Sequence, residues 1–164
     1  QNNLHLVPLS LLGSIISTFV WVAIVLAIGS LSKNSLITAL GAFGIFMALL
    51  ISAPIVSVFS DQAWILSYVP GNGATGNIKD LGKSVSTGTD NIAANLINYV
   101  LHPSSEVTFS KMVGFRPGEP PSTIVLYVEP LSLVLLRAVT VALTYILAFL
   151  FISWYALKQA QVLE

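Results

Sequence analysis

Three apolar stretches, at about residues 8–29, 36–59 and 131–157, constrain this chain more than anything else in it. Each is about 20 residues or longer, and at about 1.5 Å per residue a helix of that length crosses a hydrocarbon core of about 30 Å. The first two carry no charge at all. The fold class this predicts is an all-α polytopic membrane protein. It has three transmembrane helices, and a long extracytoplasmic segment at about 60–130 separates the second from the third. The whole chain, 1–164, reads as a single membrane domain.

The composition agrees. Charged residues make up 9% of the chain and hydrophobic residues 55%, with a mean hydropathy of +0.85; an ordinary soluble domain has roughly a quarter charged residues. The formal net charge is zero, so there is no basic footprint for nucleic acid. Cysteine is absent, which excludes disulfides, thiol nucleophiles and cysteine-ligated metals. The chain begins at Gln1 and not at Met, which points to a processed chain or a part of a longer one. The first apolar stretch has no basic region in front of it and no small-residue cleavage site behind it, so it reads as a retained helix and not as a signal peptide.

The connection at 30–35 is short enough to make the first two helices an antiparallel hairpin. Its only charge is Lys33, which places this turn in the cytoplasm under the positive-inside rule. Lys158 follows Trp154 and Tyr155 at the other cytoplasmic end, where the two rings read as an interfacial belt. The expected localisation is a cell membrane, multi-pass, with the N-terminus outside and the C-terminus inside.

The segment at 60–130 is rich in Gly, Asn, Ser and Thr. Within it, residues 90–101 (DNIAANLINYVL) read as a short amphipathic helix. Ile92, Leu96 and Val100 share one face, Asn91, Asn95 and Asn98 lie toward the other, and Asp90 is in the N-cap position. Having no Lys or Arg, this helix is expected to pack on its own protein rather than on lipid headgroups. Residues 116–121 (RPGEPP) read as loop, and 123–128 (TIVLYV) as either a short strand or an extended re-entry to the membrane.

Two motifs here suggest nucleotide chemistry, and both fail on context. Residues 71–76 match G-x-G-x-x-G, but a dinucleotide site needs that pattern inside a βαβ unit, and no parallel-sheet pattern follows. Gly82-Lys83-Ser84 resembles the end of a phosphate loop, but five residues separate it from Gly76 where the motif requires four. His5 and His102 have no third ligand near them. There is no Ser-His-Asp set and no pair of intramembrane carboxylates. The residues point to no catalytic activity and no bound cofactor or metal.

The helices carry packing information instead. Gly44, Ala48 and Ser52 recur every four residues, a spacing that lets helix backbones approach closely in lipid. Gly13 with Ser17, Ala138 with Ala142, and the row Thr140, Thr144 and Ala148 repeat the pattern. Pro54 should bend the distal third of the second helix and free the carbonyl of Leu50. Arg137 is the one charge well inside a span, about 9 Å in from Leu131. It reads as an anchor that snorkels to the interface or pairs with Asp61, ahead of a place on a substrate path. Pro54, Asp61 and Arg137 are the candidate gate or outer anchor.

The run at 19–50 (FVWVAIVLAIGSLSKNSLITALGAFGIFMALL) resembles the fourth and fifth helices of the permeases of type-2 ABC exporters. There a helix ends in a short cytoplasmic Ser/Lys/Asn turn and a small-residue-rich helix follows. A final helix then returns to a short polar tail, and residues 131–157 followed by Lys158-Gln159-Ala160-Gln161 are similar. A family permease has six helices, so the resemblance implies that this chain is the C-terminal half of one, or a split subunit. It further implies ABC ATPase subunits and a second permease subunit, identical or different, as partners. ATP and Mg would be handled by the ATPases, and this chain would form part of a translocation pathway. The rival expectation is a small scaffold subunit of a larger membrane complex.

Overall fold

The computed structural model describes residues 4, 6–59, 63–79, 81–114 and 122–162. Three helices are long and apolar enough to cross a membrane: α1 (Leu6–Ser32), α2 (Ser35–Phe59) and α4 (Leu131–Val162). Between α2 and α4 lies a cap. It contains a 3₁₀ segment (Ala63–Tyr68), strands β1 (Thr75–Ile78) and β2 (Ser84–Ser86), helix α3 (Ile92–Leu101), and strands β3 (Glu106–Gly114) and β4 (Ser122–Pro130). The four strands form one antiparallel sheet in the order β2-β1-β3-β4. The chain is mostly helical but not all-α, which corrects the expected class. Strands β1 and β2 are only four and three residues long, too short for alternation to be read from sequence. In β3, Val107 and Phe109 are buried while Thr108 and Ser110 are half-exposed, a period-2 pattern.

The α1–α2 connection is shorter than its composition suggests, only Lys33 and Asn34. Lys33 takes a left-handed φ of 51°, and its N–H donates to Gly29 O at 3.0 Å, closing the end of α1. Asn34 Oδ1 accepts the N–H of Leu36 at 2.9 Å and so caps α2.

Helices α1 and α4 form the bundle core and run parallel. The Ser153 hydroxyl donates to Leu26 O at 3.2 Å near one end, and Val20 and Ile24 pack with Ala138 and Ala142 further up. On α1 the buried Gly13, Val20 and Ala27 fall seven residues apart; on α4 Leu131, Val134, Ala138 and Val141 alternate in steps of three and four. Alanines at the seam let the two backbones approach. Helix α2 is the outlier. Only 6% of its apolar span is buried, against 28% for α1 and 22% for α4. It meets α1 in the half near the Lys33 turn, where Gly29 faces Thr38, Gly41 faces Ile28, and Trp21 and Phe46 make an edge-on ring contact at 5.2 Å. Leu11, Leu40, Phe43, Leu136 and Leu147 are among the large side chains exposed along the helices, a surface suited to lipid and not to water.

Helix α3 packs on α1 and α4, as its lack of basic residues predicts. Both of its faces are used. Ile92 is fully buried in the helix core, while Asn95, on the side read as polar, is 1% exposed and donates to Ser86 O at 2.8 Å. The sheet packs over the start of α4, with Ile78, Val85, Val107 and Phe109 around Leu131 and Val134.

Candidate functional site: a polar wedge between the helices

The cap reaches down between the helices. Residues 67–74 and 87–90 lie back to back, held by backbone bonds from Thr87 N to Ala74 O (2.8 Å), Gly88 N to Asn72 O (2.9 Å) and Asp90 N to Gly71 O (3.1 Å). The hydroxyls of Thr87 and Thr89 accept from Ala74 N at 2.9 Å and Gly71 N at 3.0 Å, and Ser67 and Thr87 share a hydrogen bond of 2.7 Å. A side chain at Gly73 would strike the backbone of Gly88, and one at Gly88 would strike Gly71 O. The G-x-G-x-x-G run is therefore a tightly bonded loop leading into an antiparallel sheet, with no βαβ unit around it. Non-helical backbone at the depth of membrane helices survives only where its polar groups are satisfied by protein, and this loop pair is built that way.

The depth follows from its partners. Trp21 Nε1 donates to Asp90 Oδ1 at 2.9 Å, and Trp21 is 11 residues before the end of α1, about 16 Å above the Lys33 turn. That is beside the middle of α1. The Ser17 hydroxyl, close by, donates to Thr89 O at 2.6 Å. Trp21, Phe46, Leu49, Leu50, Asn72 and Asp90 line a half-open space of about 10 Å³, room for one water. Burial pushes the Asp90 carboxyl above its ordinary range, and hydrogen bonds from Trp21 and Thr89 pull it partly back. Asp90 does not cap α3 with its side chain, as its position had suggested; Asn91 holds the cap position, and no side chain bonds the helix end.

A second polar cluster lies nearer the cap, on α4. Arg137 Nη2 donates to Glu129 Oε1 at 2.7 Å, with the two side chains 15% and 12% exposed. The guanidinium lies over the Tyr68 ring, 5.9 Å from its centre, and Tyr68 O accepts from Tyr145 OH at 3.1 Å. Tyr127 stacks on Phe109 at 4.6 Å; its hydroxyl and Arg137 Nε are buried without a protein partner. Burial, with Glu129 beside it, pushes the Tyr127 hydroxyl up. The Arg137 partner is thus Glu129, eight residues earlier on β4. Asp61, the partner expected from sequence, lies outside the described residues, as do His5 and 116–121. The available signal was a lone carboxylate just ahead of the span.

Gly44, Ala48 and Ser52 are exposed, and a side chain at Gly44 would meet nothing within 4 Å. Among the described residues no helix covers that row. Pro54 is exposed on the same helix. The rows that are used are the other ones. Gly13 lies against the backbone of Ala93, and Ala138 and Ala142 are fully buried. Thr140 and Thr144 are exposed and bond back to carbonyls of their own helix. Among the described residues, no three His, Asp or Glu side chains converge to hold a metal ion.

No family model, curated protein or solved structure matches the chain.

Proposed function

We propose that this chain is a membrane-spanning subunit of an ATP-driven ABC exporter, forming part of the translocation pathway while separate subunits hydrolyse ATP with Mg. The observation that carries the reading is α2. It follows α1 through a two-residue turn, lies against α1 only near that turn, and leaves its small-residue face open. In the proposed complex that face and the wedge beside it line the route or meet the second permease subunit. Closure of the ATPases then tilts α2 relative to the α1–α4 pair, which is the better packed unit. Affinity capture of the full-length native chain from its own membranes tests this: an ABC ATPase should accompany it and hydrolyse ATP. A full-length chain that never captures an ATPase would overturn it.

A second reading, a non-transporting scaffold subunit, is favoured by the same open face, since Gly44, Ala48 and Ser52 would accept any close helix partner. Capture of a stable complex lacking any ATPase would select it.

A further inference from the structure

Asp90 is a half-buried acid beside the middle of α1, with no cation beside it among the described residues. Around it, α1 brings Trp21 and Ser17, α2 brings Phe46, Leu49 and Leu50, and the preceding loop brings Gly71 and Asn72, the last bonded by Asn91. Helices α1 and α2 contain no titratable side chain. In the distal half of α4, Arg137 is bound to Glu129, and Tyr145 donates to Tyr68 O. Tyr99, the titratable group of α3, packs against the sheet core. What acts on the carboxyl is burial and two hydrogen bonds, and no neighbouring charge. An ionised carboxylate in such a place is costly, and an ionisable group at membrane depth is a candidate for function in its own right. A neutral carboxyl still accepts from Trp21 and gains a donor facing the one-water space beside Asn72.

We infer that Asp90 is a proton-binding site, protonated while Trp21, Phe46 and Leu49 close over it, and that loss of the proton opens the seam between α1 and α2. The ionised form needs water. Helices α1, α3 and α4 are locked together around Val20, Ile92, Ala138 and Ala142, whereas α2 is held by its turn, the Trp21–Phe46 ring contact and contacts with β3 and the 3₁₀ segment, and leaves most of its apolar span exposed. Water therefore enters on the α2 side. The inference rests on the membrane reading and is independent of any ATPase.

The test uses the full chain in nanodiscs of zwitterionic lipid. The chain has no cysteine, so Leu12→Cys with Ile51→Cys places a spin-label pair on exposed sites of the distal halves of α1 and α2. The expected result is a shift to longer distances as pH rises above the ordinary carboxylate range, with a one-proton midpoint. A protonated-carboxyl infrared band should vanish at the same midpoint. Asp90→Asn should keep the short distance at both ends and lose the band. Trp21→Phe should move the midpoint to higher pH, because it removes a donor to the carboxylate. A distance that ignores pH, or one that still responds in Asp90→Asn, overturns the inference. So does a midpoint that moves when Na⁺ replaces K⁺, which would make the ligand a metal cation. Should Asp90→Asn fail to fold, Trp21→Phe decides, and an unmoved midpoint counts against the site.

Discussion

At Gly13 a β-carbon would lie 2.5 Å from the Cα of Ala93, a contact with backbone that no rotamer relieves. Gly13→Val should therefore push α3 off α1 and destabilise the chain by about 1–3 kcal/mol, read by thermal unfolding in detergent. Gly44→Leu enters open space and should leave the same unfolding transition within about 0.5 kcal/mol. If α2 meets a second chain at that face, only assembly will register the change. Asp90 contributes a pH slope. Its folded-state pKa lies above the ordinary 3.8, so the folded chain keeps the proton after the unfolded chain has lost it. Stability is then full below the unfolded value and falls as pH rises through the folded one. The unfolding midpoint should drop as pH rises above the ordinary 3.8, and Asp90→Asn should flatten that drop.

Among the elements, β4 and α4 are continuous in sequence and are pinned again by Glu129 and Arg137. Removing one partner strands the other in a largely buried site. Glu129→Ala should cost about 3–5 kcal/mol, whereas replacing both residues with apolar ones of similar volume should be far milder; chemical denaturation of the two variants checks the contrast. The helices were legible because length and apolarity alone identify a span. The apolar face of α3 was legible too, through Ile92 and Leu96. The burial of Asn95 was not, because it depends on Ser86 O, a carbonyl brought near by the fold. The wedge was invisible for the same reason. Glycine, threonine and asparagine in a row read as surface loop, and only pairing between 71–74 and 87–90 makes such a segment fit to sit between helices.

For the molecule as a whole, the exporter reading fixes a sidedness that labelling can check. In a chain without native cysteine, Lys33→Cys should react with an impermeant maleimide only from the cytoplasmic face, and the exposed Ser104→Cys only from the other. The reverse pattern would remove the topology on which the resemblance depends.

The parallel pairing of α1 with α4 has a consequence in time. The seam face of α1, with Val20 and Ile24, has its α4 partner at Ala138 and Ala142, about 120 residues later in the chain. At about 5–20 residues per second, a nascent chain carries that face without α4 for roughly 6–24 s. Meanwhile α2 covers just the part near the turn, and α3 brings Ile92 against Val20 and Ile24. Of the three long helices, α4 leaves the ribosome last and completes the centre of the bundle. A chain cut short before α4 should persist only as an unpaired hairpin, open to lipid, to quality-control proteases, or to a helix from another polypeptide.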